Sequence, residues 1–226
     1  MLFRSNLDLM YALPGQTLAM ARADIDAAAS LGVPHVSAYQ LTLEPNTVFH
    51  ANPPVLPPHD LAADMQVMVE EKLAEAGYGH YEVSAFARPG RRCRHNLNYW
   101  EFGDYLGIGA GAHSKLSMPG RAFRQARFRL PREYMQRAAA GNAVQSEATI
   151  KPADATFEFM MNALRLTGGF ALRLFEERAG LPVSSVVREL DAAEQKGLIR
   201  RDHLRVEPTE LGRRFLNDLL QLFLRD

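Results

Sequence analysis

A mixed α/β chain is predicted, with part of a parallel sheet over residues 1–148 and a small α+β module over residues 149–226. Three observations predict it. Residues 6–43 read as strand, helix and strand with short joins, a unit whose two strands lie parallel. Residues 88–130 are rich in Gly and Arg and read as turns and extended segments. After Thr149 the strand signals give way to short helices with apolar faces.

Taken in order, Asn6–Leu13 reads as a buried apolar strand interrupted by Asp8. Pro14-Gly15 is a turn, and Thr17 is an N-cap for a helix over 18–31 that Gly32 ends. His35–Leu43 alternates as a strand; Pro45 and the prolines of 53–58 make an irregular loop. A helix over Asp60–Ala76 gathers Leu61, Met65, Met68, Val69 and Leu73 on one face, and Gly77 and Gly79 close it. Tyr81–Phe86 reads as one short strand, residues 121–130 as extended, and 132–140 as a short helix. The C-terminal part holds helices over 152–166, 171–179 and 183–196, then a β segment at His203–Val206. A closing helix starts from the N-cap Thr209 and carries Leu211, Phe215, Leu216, Leu219, Leu220 and Phe223. That order resembles a winged-helix module.

Composition narrows the class. The 226 residues are 47% hydrophobic, enough for a sizeable core. The one cysteine, Cys93, excludes a disulfide framework and fits a reducing, cytoplasmic setting. No apolar run approaches the roughly 18 residues that span a bilayer, and no basic-then-apolar leader is visible. Net charge is zero but uneven, with eleven Lys/Arg against three Asp/Glu over residues 88–137. That segment suits an anionic ligand, or is simply the solvated face of a hairpin.

Chemistry concentrates in Arg94-His95-Asn96-Leu97-Asn98-Tyr99-Trp100, followed by Leu106-Gly107-Ile108-Gly109-Ala110-Gly111-Ala112-His113-Ser114. Aromatic side chains beside a potential axial histidine suit a flat, conjugated, metal-bearing ligand. The run resembles the HNxxYW motif of HemW-type heme chaperones, relatives of the oxygen-independent coproporphyrinogen III oxidases, and the resemblance continues over nearly the whole chain. It implies an α/β fold: the C-terminal part of a radical S-adenosylmethionine (SAM) partial (β/α) barrel, followed by a winged-helix-like domain. It implies heme binding by His95, Asn96, Tyr99 and Trp100, with His95 as the iron ligand and Asn96 or a backbone carbonyl orienting its ring. The partners implied are heme and heme-accepting apoproteins such as respiratory enzymes. Association with a membrane would come through those acceptors, and no nucleic-acid partner is expected.

The resemblance also implies SAM and a [4Fe–4S] cluster. Proteins of that family hold the cluster with three cysteines in a CxxxCxxC run, which one cysteine cannot supply. The chain therefore reads as a C-terminal portion, from a truncation or an internal start, and no radical chemistry is expected of it as given. By resemblance Asp8, Gln40, Thr42, Ala112 and His113 contact SAM. Asp8 within an apolar strand needs a partner to offset desolvation, and Gln40 and Thr42, two apart, share a face. Gly107, Gly109 and Gly111 let backbone approach a ligand closely or pack strands tightly. Their spacing is not the dinucleotide fingerprint GxGxxG. Ala12 stands where the family usually has glycine, so a positive φ there would strain it.

Two alternatives accompany the chaperone reading. One is a coproporphyrinogen III oxidase that decarboxylates propionate side chains oxidatively; the intact HNxxYW run resembles the chaperones more closely. The other is a winged helix that docks DNA. Its recognition helix, 183–196, carries Arg188 and Lys196 against Glu189, Asp191 and Glu194, which argues against that reading.

Overall fold

The computed structural model describes residues 5–118 and 120–224, in two compact units that divide between Cys93 and Arg94. In the first unit β1 (Asn6–Tyr11) is followed by α1 (Leu18–Ser30) and β2 (His35–Gln40). The expected parallel pairing is present, with Asn6 opposite His35 and Tyr11 opposite Gln40. Thr17 caps α1 by accepting from the Met20 amide at 3.3 Å. After the single turn α2 (Val48–Ala51), the longer α3 (His59–Glu75) buries Ala62, Met65, Met68, Val69 and Leu73. These pack with Ile25 of α1 and Val36 of β2 into one core. Leu61 lies at its margin.

Three expectations for this unit are corrected. The stretch Tyr81–Phe86 is a hairpin, β3 (Gly79–Glu82) and β4 (Ala85–Ala87), bulged between His80 and Glu82. Its short turn reverses the chain, which a parallel crossover needs a dozen or more residues to avoid. β4 therefore runs antiparallel to β2, and the sheet, in the order β1-β2-β4-β3, is mixed. Asp8 is exposed, because β1 alternates exposed and half-buried side chains. β2 ends at Gln40, so Thr42 lies beyond it in irregular chain and owes nothing to strand alternation.

In the second unit α4 (Arg94–Trp100) precedes β5 (His113–Met118), β6 (Arg121–Arg127), α5 (Pro131–Ala139) and β7 (Val144–Thr149). The three strands form an antiparallel sheet in the order β5-β6-β7. The chain continues with α6 (Pro152–Ala163), β8 (Phe170–Ala171) and α7 (Leu172–Ala179). A 3₁₀ turn at Val183–Ser185 precedes α8 (Val187–Gln195). Then come β9 (Ile199–Arg201), β10 (Arg205–Pro208), α9 (Glu210–Arg214) and α10 (Leu216–Gln221). Helices plus the small sheet β8-β10-β9 give the winged-helix arrangement. The expected helix 183–196 is interrupted at Val186, and the closing helix breaks at Phe215 (φ −110°) between α9 and α10.

Phe159 anchors the core of this unit, meeting Phe102, Phe170 and Phe175 edge to face at centroid distances of 5.9, 5.0 and 5.2 Å. Met160, Leu190, Ile199, Val206, Leu219 and Phe223 complete it. Each such side chain contributes about 1.5–3 kcal/mol by leaving water. Residues 148 and 149 fall within this unit, at the end of β7.

Candidate functional site

α4 ends in a tight, fully bonded loop. The Gly103 amide donates to the Asn98 carbonyl at 2.7 Å, and Asn98 Nδ2 donates to the Asp104 carbonyl at 2.9 Å. A Cβ at Gly103 would stand 2.2 Å from Asn98 Oδ1, so that position requires glycine. Phe102, at φ +54°, turns its ring into the core. Beyond it, Tyr105 and Lys115 exchange backbone hydrogen bonds at 2.9 and 3.1 Å, tying the loop to β5.

Close packing explains Gly107, whereas Gly109 (φ +114°) and Gly111 (φ +72°) hold backbone conformations that favour glycine. A Cβ on Gly107 would lie 2.1 Å from the His113 carbonyl oxygen. The Gly107 amide donates to Ser114 Oγ at 2.9 Å, Gly109 to the Tyr134 hydroxyl at 3.1 Å, and Gly111 to the Phe128 carbonyl at 2.8 Å.

On α4, exposed His95 meets Tyr99 one turn later, ring centroids 4.9 Å apart and planes at 67°. Tyr99 in turn lies on Tyr105 at 4.5 Å with a 32° tilt. Burial, then the neighbouring Tyr105, push the Tyr99 phenol above its ordinary value. Among the described residues nothing hydrogen-bonds the His95 ring, so its neighbour is Tyr99 and not Asn96, which is half-buried beside it. Trp100 does not present a polar tip outward: its Nε1 is buried without a hydrogen-bond partner among the described residues. The Arg165 guanidinium covers its ring at 4.6 Å.

Sequence reasoning missed the charges that support this loop. Lys115 is 1% exposed, and its ammonium donates to the Phe102 carbonyl at 3.0 Å and to Asp104 Oδ1 at 3.1 Å. Burial would raise the Asp104 pKa, yet hydrogen bonds from the Ser117 hydroxyl and amide and from Lys115 hold it below the ordinary value. Arg124 binds Glu158 at 2.6 Å and donates to the Tyr105 hydroxyl at 3.0 Å. Burial opposes its charge, but Glu158 and then Tyr105 outweigh that and hold its pKa above the ordinary arginine value. A cleft of about 230 Å³ beside Glu101, lined also by Phe170, Arg173 and Arg205, is below the roughly 300 Å³ where ordinary ligand pockets begin.

The residues expected at SAM are divided between the units. In the first, the exposed Asp8 carboxylate accepts from Asn6 Nδ2 at 2.7 Å. Gln40 is exposed at the end of β2, and Thr42 donates to Glu44 Oε1 at 2.9 Å. In the second, Ala112 is half-buried and His113 exposed at the start of β5. Ala12 adopts φ +58° and is 3% exposed, the positive φ that its place in Tyr-Ala-Leu-Pro raised. A chain of polar groups that the sequence did not signal lies nearby. His35 Nδ1 bonds Asn6 Oδ1 at 2.6 Å, its Nε2 bonds the Tyr81 hydroxyl at 2.7 Å, and that hydroxyl accepts from the Cys93 amide at 3.3 Å. Among the described residues no three His, Cys, Asp or Glu side chains group to hold a metal ion.

The family model described as HemN C-terminal domain matches residues 150–215. The heme chaperone HemW of Escherichia coli K12 is 44% identical over 98% of this chain and 58% of its own length. HemW of Haemophilus influenzae is 44% identical over 98% and 57%, and HemW of Bacillus subtilis 33% identical over 97% and 58%. The chain thus spans somewhat over half the length of the curated relatives it matches. In fold it is similar to Escherichia coli coproporphyrinogen III oxidase (HemN), a radical SAM enzyme. The TM-score is 0.73 at 20% identity, over 97% of this chain and 54% of that one. Residues 150–215 thus match the HemN C-terminal domain, nearly the whole chain is similar in sequence to HemW-type heme chaperones, and its fold is similar to part of the coproporphyrinogen III oxidase structure.

Proposed function

We propose that the chain carries the heme-holding surface of a HemW-type chaperone, which keeps heme reversibly and passes it to acceptor proteins. One observation carries the proposal: the imidazole of His95 stands exposed on α4 at the head of a row of touching rings that continues through Tyr99 to Tyr105. Heme is the cargo here. An exposed imidazole offers iron a nitrogen ligand, and the Tyr99 face beside it offers the porphyrin apolar contact. A ligand held at an open surface, and not inside a closed pocket, can be handed on without opening the fold. Asn96 and Trp100 shape this end of α4 from half-buried positions. Respiratory apoproteins are the acceptors proposed, and a cytoplasmic location fits them. Among the described residues no helix is long and apolar enough to cross a membrane.

The cofactors of the whole protein are proposed more narrowly. The exposed carboxylate of Asp8 suits the ribose hydroxyls or charged end of SAM, with Gln40 and Thr42 on the same unit. With Cys93 as its one cysteine, this chain cannot ligate a [4Fe–4S] cluster by itself.

The test is a hemin titration of the chain and of His95→Ala, followed by Soret absorbance. Saturable binding, weakened at least about tenfold in the variant, is expected for loss of an axial ligand. Equal binding by both proteins would remove His95 from the iron, and no saturable binding by the wild-type chain would overturn the reading.

A further inference from the structure

We infer that Tyr105, positioned by Arg124, is a further residue of the heme-binding surface, its ring prolonging the Tyr99 face on which a porphyrin would lie. The inference rests on the chaperone reading and adds to it a residue outside the HNxxYW run.

The geometry is specific. His95, Tyr99 and Tyr105 form one row, with centroid spacings of 4.9 and 4.5 Å, from the exposed imidazole to the loop before β5. Tyr99 and Tyr105 are both half-buried, and neither belongs to the buried core of the unit. Tyr105 is nevertheless fixed at both ends. Its backbone is paired in both directions with Lys115, and its hydroxyl accepts from Arg124 Nη1 at 3.0 Å. Arg124 cannot swing away, because its Nε and Nη2 both donate to Glu158, at 3.4 and 2.6 Å. A half-exposed aromatic ring held this firmly loses little freedom when a flat ligand settles on it, and such preorganisation favours binding. Glu158 already neutralises Arg124, which makes it a positioning residue and not an anchor for propionates.

The test uses hemin as the probe, with the 226-residue chain and the variants Tyr105→Phe, Tyr105→Leu and Arg124→Ala. Loss of one stacked ring is worth roughly threefold to tenfold in affinity, so Tyr105→Leu is expected to weaken hemin binding by that factor. Tyr105→Phe keeps the ring but loses the bond from Arg124, and is expected to weaken hemin binding less than Tyr105→Leu does and as much as Arg124→Ala does. Arg124→Ala frees the hydroxyl and is expected to weaken binding in the wild-type background but to add nothing in Tyr105→Phe. That dependence is one a merely structural arginine would not show. Far-UV circular dichroism identifies any variant that has not folded. Should Tyr105→Leu fail, the Arg124→Ala pair decides. Wild-type binding with Tyr105→Leu and Arg124→Ala both unchanged would overturn this inference alone. A wild-type chain that does not bind hemin would overturn the chaperone reading together with it.

Discussion

Lys115 Nζ lies 4.1 Å from the centre of the Phe102 ring and donates to the carbonyl of the same residue. One buried cation thus grips, by face and by backbone, the residue that joins the end of α4 to the core. Its charge is compensated by Asp104, which is partly exposed and also accepts from the Ser117 hydroxyl and amide at 2.8 Å each.

Removing that carboxylate should therefore cost more than removing the cation. Asp104→Ala leaves a buried ammonium with the Phe102 carbonyl and ring face and the Ser117 hydroxyl but no counter-charge, and is expected to lower stability by about 2–4 kcal/mol. Lys115→Met keeps the apolar stem and removes the charge, for about 1–2 kcal/mol. Urea unfolding of both variants checks the order, and Lys115→Met as the more damaging change would contradict it.

A pH effect follows from His35. Burial lowers its pKa below 6.5, with Asp8 opposing. The unfolded chain therefore takes up the proton first, and stability falls as pH drops below the ordinary value of 6.5 toward the folded one. The neutral ring donates from Nδ1 to Asn6 and accepts at Nε2 from Tyr81, so protonation buries a charge and forces the Tyr81 hydroxyl to turn round and accept. Thermal melts of the wild-type chain should decline between neutral pH and pH about 5. In His35→Gln that part of the slope should disappear.

Ala12 gives a test with an unusual sign. In the first turn of α1, buried Ala21→Gly should destabilise by about 1 kcal/mol. At φ +58°, Ala12→Gly relieves a left-handed conformation that costs an L-residue about 1–2 kcal/mol, against one buried methyl and some chain entropy. It should be neutral or slightly stabilising by melting temperature. A loss as large as that of Ala21→Gly would refute this.

Gly107 should tolerate no side chain. Gly107→Ala drives a methyl into the His113 carbonyl and must displace the loop that carries Ala112. A loss of about 2 kcal/mol or more is expected, with altered amide shifts at Gly109 and Gly111 in NMR spectra.

Much of this was legible in the sequence, where local rules decide. Thr17 and Thr209 announce their caps, and the apolar period of α3 announces its buried face. The aromatic-histidine run marks a chemical cluster but does not announce the helix α4 that carries it. What stayed hidden depends on partners distant in the chain. β7, Val-Gln-Ser-Glu-Ala-Thr, has no apolar alternation, because most of its side chains are exposed and its pairing with β6 includes Gln125 opposite Glu147. Lys115 looks like a surface cation until Asp104 and the Phe102 carbonyl are brought to it. Tyr105 and Arg124 meet across 19 positions of sequence. The Gly-rich turn suggested a ligand cradle as readily as the tight hairpin packing that its close backbone contacts reveal.

The sheet order β1-β2-β4-β3 leaves β1 at one margin. Each outward N–H and C=O along that margin is a template for another extended strand. During refolding at high concentration, two copies of the chain would compete with water for the same ladder. Yield should then fall with protein concentration, and the exposed Asp8 carboxylates, repelling their counterparts, are the brake that added salt would weaken.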